Sequence, residues 1–146
     1  MSPWSRLACV LAILTVFVSP PLAVGAATRA DALQSVAQTT TTAGVYTAAQ
    51  ATRGEETYMG ICVACHPRGT YSTAAFRTSW SGRQLSELFD QVKDKMPKND
   101  PASLTPAEYA QVVAYLLKIN DVPAGESELP PDSDALKKIR IEMRQE

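Results

Sequence analysis

The chain has 146 residues, 45% of them hydrophobic, with 14 Lys+Arg against 15 Asp+Glu, one His and three Cys. That length and apolar fraction suit one globular domain, and a formal charge of -1 leaves no cation excess for general phosphate binding. The single His excludes His-pair metal sites and His-pair acid–base catalysis, and three Cys cannot form an even-numbered disulfide framework.

In chain order, Arg6 precedes an uncharged apolar run over residues 7–18, which Ser19, Pro20 and Pro21 break before small residues follow. This is the layout of a secretory signal peptide over residues 1–26, with cleavage after Ala26, and the expected location is the periplasm. The run is short for a bilayer, which needs about 20 residues; an uncleaved anchor is the alternative and would have to carry the Pro pair. Cys9 opens the apolar run instead of closing it, so it is expected to leave with the peptide and not to carry lipid. Export puts Cys62 and Cys65 in an oxidising compartment, where thiols ordinarily pair or are modified.

Residues 27–44 are rich in Ala, Thr and Ser and show no apolar period, which predicts a disordered spacer. A domain over 45–122 follows. Thr47 and Gln50 have capping-box spacing and place a helix start at Thr47, with Ala51, Gly54, Tyr58 and Ile61 on one face. Gly54 costs that helix about 1 kcal/mol against Ala, which a close backbone crossing would explain. Ser81 and Gln84 signal a second helix carrying Leu85, Leu88, Phe89 and Val92, and residues 93–101 read as a loop stopped by Pro97 and Pro101. Thr105, Pro106 and Glu108 start a third helix, with Leu104 and Tyr109 as a hydrophobic staple and an apolar stripe through Val112, Val113, Leu116 and Leu117. The charged tail, 123–146, carries Leu136, Ile139 and Met143 at amphipathic spacing; it folds back, meets a partner or frays. No segment reads as a strong strand. About 75 residues of helix and loop make a marginal core, so a cofactor or other staple is expected.

Cys62-Val63-Ala64-Cys65-His66 is a C-x-x-C-H sequence, the attachment pattern of c-type haem. Two thiols on one turn can add to the two vinyl groups of one haem edge as thioethers, and the adjacent imidazole can bind the iron from one face. Structural zinc needs four ligands where only three donors are present, and a thioredoxin-type pair needs a βαβ setting; a plain Cys62–Cys65 disulfide is the remaining alternative. With no second His, the opposite face of the iron needs another donor. Met59 precedes the Cys pair and Met143 lies in the tail; Met96, in the Pro-punctuated loop, is the expected axial ligand. His66/Met96 ligation closes both axial positions and raises the reduction potential, which suits one-electron transfer. His66 is expected to donate from its second ring nitrogen to a backbone carbonyl.

These residues resemble a class I (monohaem) cytochrome c over roughly residues 46–122, with Gly54 and Tyr58 on the first helix and Tyr115 and Leu116 on the last. The resemblance implies an all-α, cytochrome c-like fold of three main helices around one covalent haem c, with the first and last helices crossing at Gly54, Tyr58 and Tyr115. It also implies Trp80 beside the haem, although an ordinary core Trp fits the sequence as well. The stretch from Gly82-Arg83 through Leu88-Phe89 to Met96-Pro97, with Pro123-Ala124-Gly125, is similar to bacterial cytochrome c domains that accompany quinoprotein dehydrogenases. Pro67 directly after the His departs from the mitochondrial-type pattern.

The expected function is a periplasmic electron carrier, not an enzyme, passing electrons from a dehydrogenase to another cytochrome or an oxidase. Lys93, Lys95 and Lys98 flank Met96 and either receive an acidic partner or form a solvated loop. The alternatives are a haem-based gas sensor or peroxide-reactive enzyme with a displaceable Met96, and a fixed cytochrome subunit of a dehydrogenase complex, held through the tail.

Overall fold

The structure, a computed structural model, describes residues 38–144. The signal peptide over 1–26, with Cys9, and residues 27–37 of the spacer lie outside the described residues. Among the described residues five α-helices carry the fold: α1 (Ala48–Thr57), α2 (Ala74–Trp80), α3 (Leu85–Lys95), α4 (Pro106–Lys118) and α5 (Ser133–Leu136). The only strands among the described residues are two residues long, β1 (Thr39–Thr40) and β2 (Ile139–Arg140), paired in parallel.

The crossing of α1 and α4 is the most extensive contact between elements. At Gly54 an added Cβ would overlap the Gln111 carbonyl, so the backbones meet where only hydrogen fits. One turn further on, the Tyr58 and Tyr115 rings pack with centroids 5.1 Å apart. Tyr109, Val113 and Leu117 on α4 then meet Leu85, Leu88 and Phe89 on α3 in the core.

The helix starts show which local signals prevail. At α4 the full box forms: the Glu108 N–H donates to Thr105 Oγ1, the Thr105 N–H donates to Glu108 Oε2, and Pro106 takes the first helical position. At α1 Thr47 accepts from the Gln50 N–H, but the Gln50 amide leaves the box and bonds both main-chain groups of Leu129. The start expected at Ser81 lies instead at Leu85. Gly82 adopts φ 86°, which breaks the path from Ser81, and Glu87 accepts the Gln84 N–H at 3.0 Å to begin the helix. This helix continues to Lys95, so the loop expected from Lys93 begins at Met96. Sequence reading missed α2, where Thr73 accepts the Phe76 N–H.

Residues 38–44 are not part of a structureless spacer. Thr41 is buried, its hydroxyl donating to the Glu142 carbonyl at 2.8 Å and accepting the Glu142 N–H at 2.9 Å. The tail folds back: Leu129, Leu136, Ile139, Ile141 and Met143 all belong to the core. Main-chain bonds from Gly82 to Ile141 and from Ile141 to Arg83, each 2.8 Å, fix the tail beside the start of α3. The Gly125 N–H donates to the Tyr46 carbonyl at 2.7 Å, at a point where a Cβ on Gly125 would overlap Gly44. The two segments flanking the helices thus form one strap, which enlarges a core that three helices would leave marginal. No helix among the described residues is long and apolar enough to cross a membrane.

Candidate functional site

Past Thr57 the backbone of α1 widens, and the Val63 N–H reaches back five residues to the Tyr58 carbonyl at 3.0 Å. Such wide turns rotate the succeeding side chains away from the face an ordinary helix would give them, and they are frequent at functional sites. Ile61, expected on the buried stripe, is therefore 42% exposed. Cys62 begins a tight turn whose carbonyl accepts from the Cys65 N–H at 3.1 Å and the His66 N–H at 2.9 Å. The motif's three donors consequently share one turn, and no disulfide joins the two cysteines. Burial pushes the Cys62 thiol above its ordinary pKa.

Cys62, Cys65 and His66 line a cavity of about 1010 Å³, as does Met96. Phe76, Trp80, Leu88 and Leu116 give it apolar walls. Met96 is the only methionine on this cavity among the described residues. Met59 is not on its wall, and Met143, part of the strap, is packed into the core. Trp80 is on the wall, as the resemblance implied, and the Arg83 guanidinium stands 4.3 Å from its ring centroid. Of the three lysines flanking Met96, Lys98 lines the cavity, while Lys93, in the last turn of α3, is 3.6 Å from Asp94.

His66 is gripped twice. Tyr58 donates its hydroxyl to the His66 main-chain carbonyl at 2.7 Å, and the Tyr71 hydroxyl is 2.9 Å from His66 Nδ1. The Tyr58 phenol is pushed up to about 12, mainly by burial, with smaller contributions from Tyr71, Cys62 and Tyr115. The expected backbone carbonyl is not the partner of the second ring nitrogen; a phenol is. The turn after Pro67, closed by the Thr70 N–H and hydroxyl on the Pro67 carbonyl, brings Tyr71 back against the imidazole with centroids 5.2 Å apart.

Met96 caps α3, its N–H donating to the Val92 carbonyl at 3.0 Å. Its own carbonyl accepts from the Tyr109 hydroxyl at 2.7 Å. The sequence indicated the four donors but not these tyrosine hydroxyls. Tyr109 was legible only as an apolar staple, and nothing in the spacing of Tyr71 shows where its oxygen goes.

The donor set matches a covalently held haem: two thiols on one turn, an imidazole with Nε2 uncommitted, and a thioether, all on one large apolar cavity. Among the described residues no group of three or more His, Cys, Asp or Glu assembles a site for a bare metal ion. Residues 49–116 match the family model described as cytochrome c oxidase, cbb3-type, subunit III. No curated protein and no solved structure matches the chain. The all-α fold and the match identify a cytochrome c domain, an electron-transfer unit with one covalently attached c-type haem and its iron.

Proposed function

We propose that this chain is an exported, periplasmic one-electron carrier with His66 and Met96 as axial ligands, taking electrons from a dehydrogenase and passing them to another cytochrome or an oxidase. The observation that carries the ligation is that Met96 alone among the described methionines shares the cavity of Cys62, Cys65 and His66. When bound, the haem supplies reversible one-electron chemistry at its iron. Cys62 and Cys65 hold it as thioethers, His66 offers Nε2, and the apolar walls exclude water, which favours the less charged ferrous state. The residues 1–26 pattern supports export.

The matched family's description, an oxidase subunit, favours an oxidase-class acceptor. Of the two arrangements, free carrier and fixed subunit, the strap favours the carrier. Leu136, Ile139 and Met143, the apolar residues through which the tail would hold a partner, are 0, 9 and 6% exposed because they pack against this chain's own core.

The test is an optical spectrum of protein matured with haem-attachment machinery, with and without carbon monoxide. A low-spin c-type spectrum, a weak far-red sulfur-to-iron band when oxidised, and no carbon monoxide shift are expected. A high-spin spectrum that shifts with carbon monoxide would replace the carrier by a sensor or peroxide-reactive enzyme.

A further inference from the structure

We infer that Tyr71 is a positioning residue for the haem iron, acting through His66: its phenol oxygen, not a main-chain carbonyl, is the acceptor that fixes the imidazole's tautomer and rotation. The inference rests on the reading of His66 as an iron ligand.

An imidazole has two ring nitrogens, and in this site Nδ1 is 2.9 Å from the Tyr71 hydroxyl. Nε2 is therefore the one left for a metal. A neutral imidazole that binds metal through Nε2 carries its proton on Nδ1, so the bond runs from Nδ1–H to the Tyr71 oxygen. That direction sets the plane of the ring, because rotation about the Cβ–Cγ bond would break it.

The acceptor is itself held in place. The Tyr71 ring packs on Phe76 with centroids 5.4 Å apart. Its main-chain carbonyl accepts from Asn120 Nδ2 at 2.7 Å. Asn120 is 0% exposed, and the same nitrogen donates to the Leu116 carbonyl at 2.8 Å, so the loop bearing Tyr71 is fastened to the end of α4. Tyr58 meanwhile holds the His66 main chain. Ligand main chain and ligand ring are thus fixed separately, by α1 and by a loop tied to α4.

The chemistry has a direction. An acceptor on Nδ1–H pushes electron density into the imidazole and favours ferric iron; removing it makes His66 a poorer donor and favours ferrous iron. Tyr71→Phe keeps the ring packing on Phe76 and deletes only the oxygen.

The experiment compares the haem-loaded wild type with Tyr71→Phe by three readouts: midpoint potential, the spread of the ferric haem methyl proton resonances, and exchange of the His66 Nδ1 proton in the ferrous state. A rise in potential, a changed methyl spread and about fivefold faster exchange are expected, the last matching loss of a hydrogen bond worth about 1 kcal/mol. Asn120→Ala, which keeps the hydroxyl but frees its loop, is expected to change the methyl spread in the same sense and by less. An unchanged potential and methyl spread in Tyr71→Phe, with the Nδ1 proton still protected, would overturn the inference while leaving His66 as ligand. A wild-type spectrum without histidine-ligated haem would overturn the ligand reading and this inference with it.

Discussion

The Tyr109 hydroxyl donates to the Met96 carbonyl across 2.7 Å and accepts the Leu104 N–H at 3.3 Å, so one phenol clips both ends of the loop that carries Met96 to the cavity. Its ring is 1% exposed and anchored in the first turn of α4. Tyr109→Phe preserves that anchor and leaves a carbonyl and an N–H without their partner. The expected cost is about 1–3 kcal/mol, and on the His66/Met96 reading much of it falls on the loop that presents the sulfur. Imidazole, competing for the Met96 position, is expected to bind about tenfold or more tightly to the variant. A titration followed at the far-red sulfur-to-iron band checks this, and an unchanged affinity would show that the phenol does not restrain Met96.

Gly54→Ala puts a favourable helix former into α1 and should nevertheless destabilise it. The new Cβ would meet the Gln111 main chain of α4, and backbone cannot turn aside as a flexible side chain can. Helix propensity offers about 1 kcal/mol in favour of Ala, while overpacking of a tight contact costs about 1–3 kcal/mol or more. The net expectation is a loss of about 2 kcal/mol in urea unfolding of the haem-loaded protein. Equal or greater stability than wild type would mean that the crossing is looser than described.

Signals confined to a few neighbouring residues were legible, and long-range ones were not. Thr105, Pro106 and Glu108 need only each other, and all three take their expected places. Cys62, Cys65 and His66 likewise define their own turn. Gln50 has the spacing of a cap partner, but a buried pairing with Leu129, far along the chain, takes its amide. Ile61 fits a regular helical stripe until the wide turn at Tyr58 rotates it outward. The helix Ala74–Trp80 is too short to establish an apolar period. Thr41 looks like linker because its burial depends on Glu142 at the other end of the described chain. The cavity between Met96 and His66 is similarly a product of tertiary packing, so the sequence offered two candidate ligands without the tyrosines that hold them.

Gln50 tests whether the strap is structural. Its amide donates to the Leu129 carbonyl at 2.9 Å and accepts the Leu129 N–H at 2.8 Å, in buried surroundings. Gln50→Ala leaves both main-chain groups without their partner, and at about 1–3 kcal/mol for each the expected destabilisation is about 2–6 kcal/mol. Hydrogen exchange at the Leu129 amide should accelerate in step with that loss. Truncation after Gly125 goes further, removing Leu129, Leu136 and Ile141 from the core, and is expected to lower the thermal midpoint. A truncated protein as stable as the full chain would return the tail to a docking role.

Glu55 carries a pH dependence of definite sign. Its carboxylate receives Lys118 Nζ at 3.1 Å from α4 and Arg68 Nη1 at 3.3 Å from the turn just after His66. The Lys118 hydrogen bond, with smaller help from the Arg68 guanidinium, holds the carboxyl below its ordinary pKa. A folded-state pKa lowered in this way stabilises the protein above the unfolded value, about 4.3 for Glu, and that stabilisation is lost as pH falls through the folded value. Exposed pairs contribute about 0.2–1 kcal/mol each, so Glu55→Gln should cost about 1 kcal/mol near neutral pH. The gap between wild type and variant should then close on acidification, as the wild-type carboxyl takes up its proton. Urea unfolding of both proteins from about pH 7 down to about pH 3 measures that gap. A constant difference across the range would show that Glu55 contributes through packing and not through its charge, and the tie from α4 to the turn beyond His66 would then not be electrostatic.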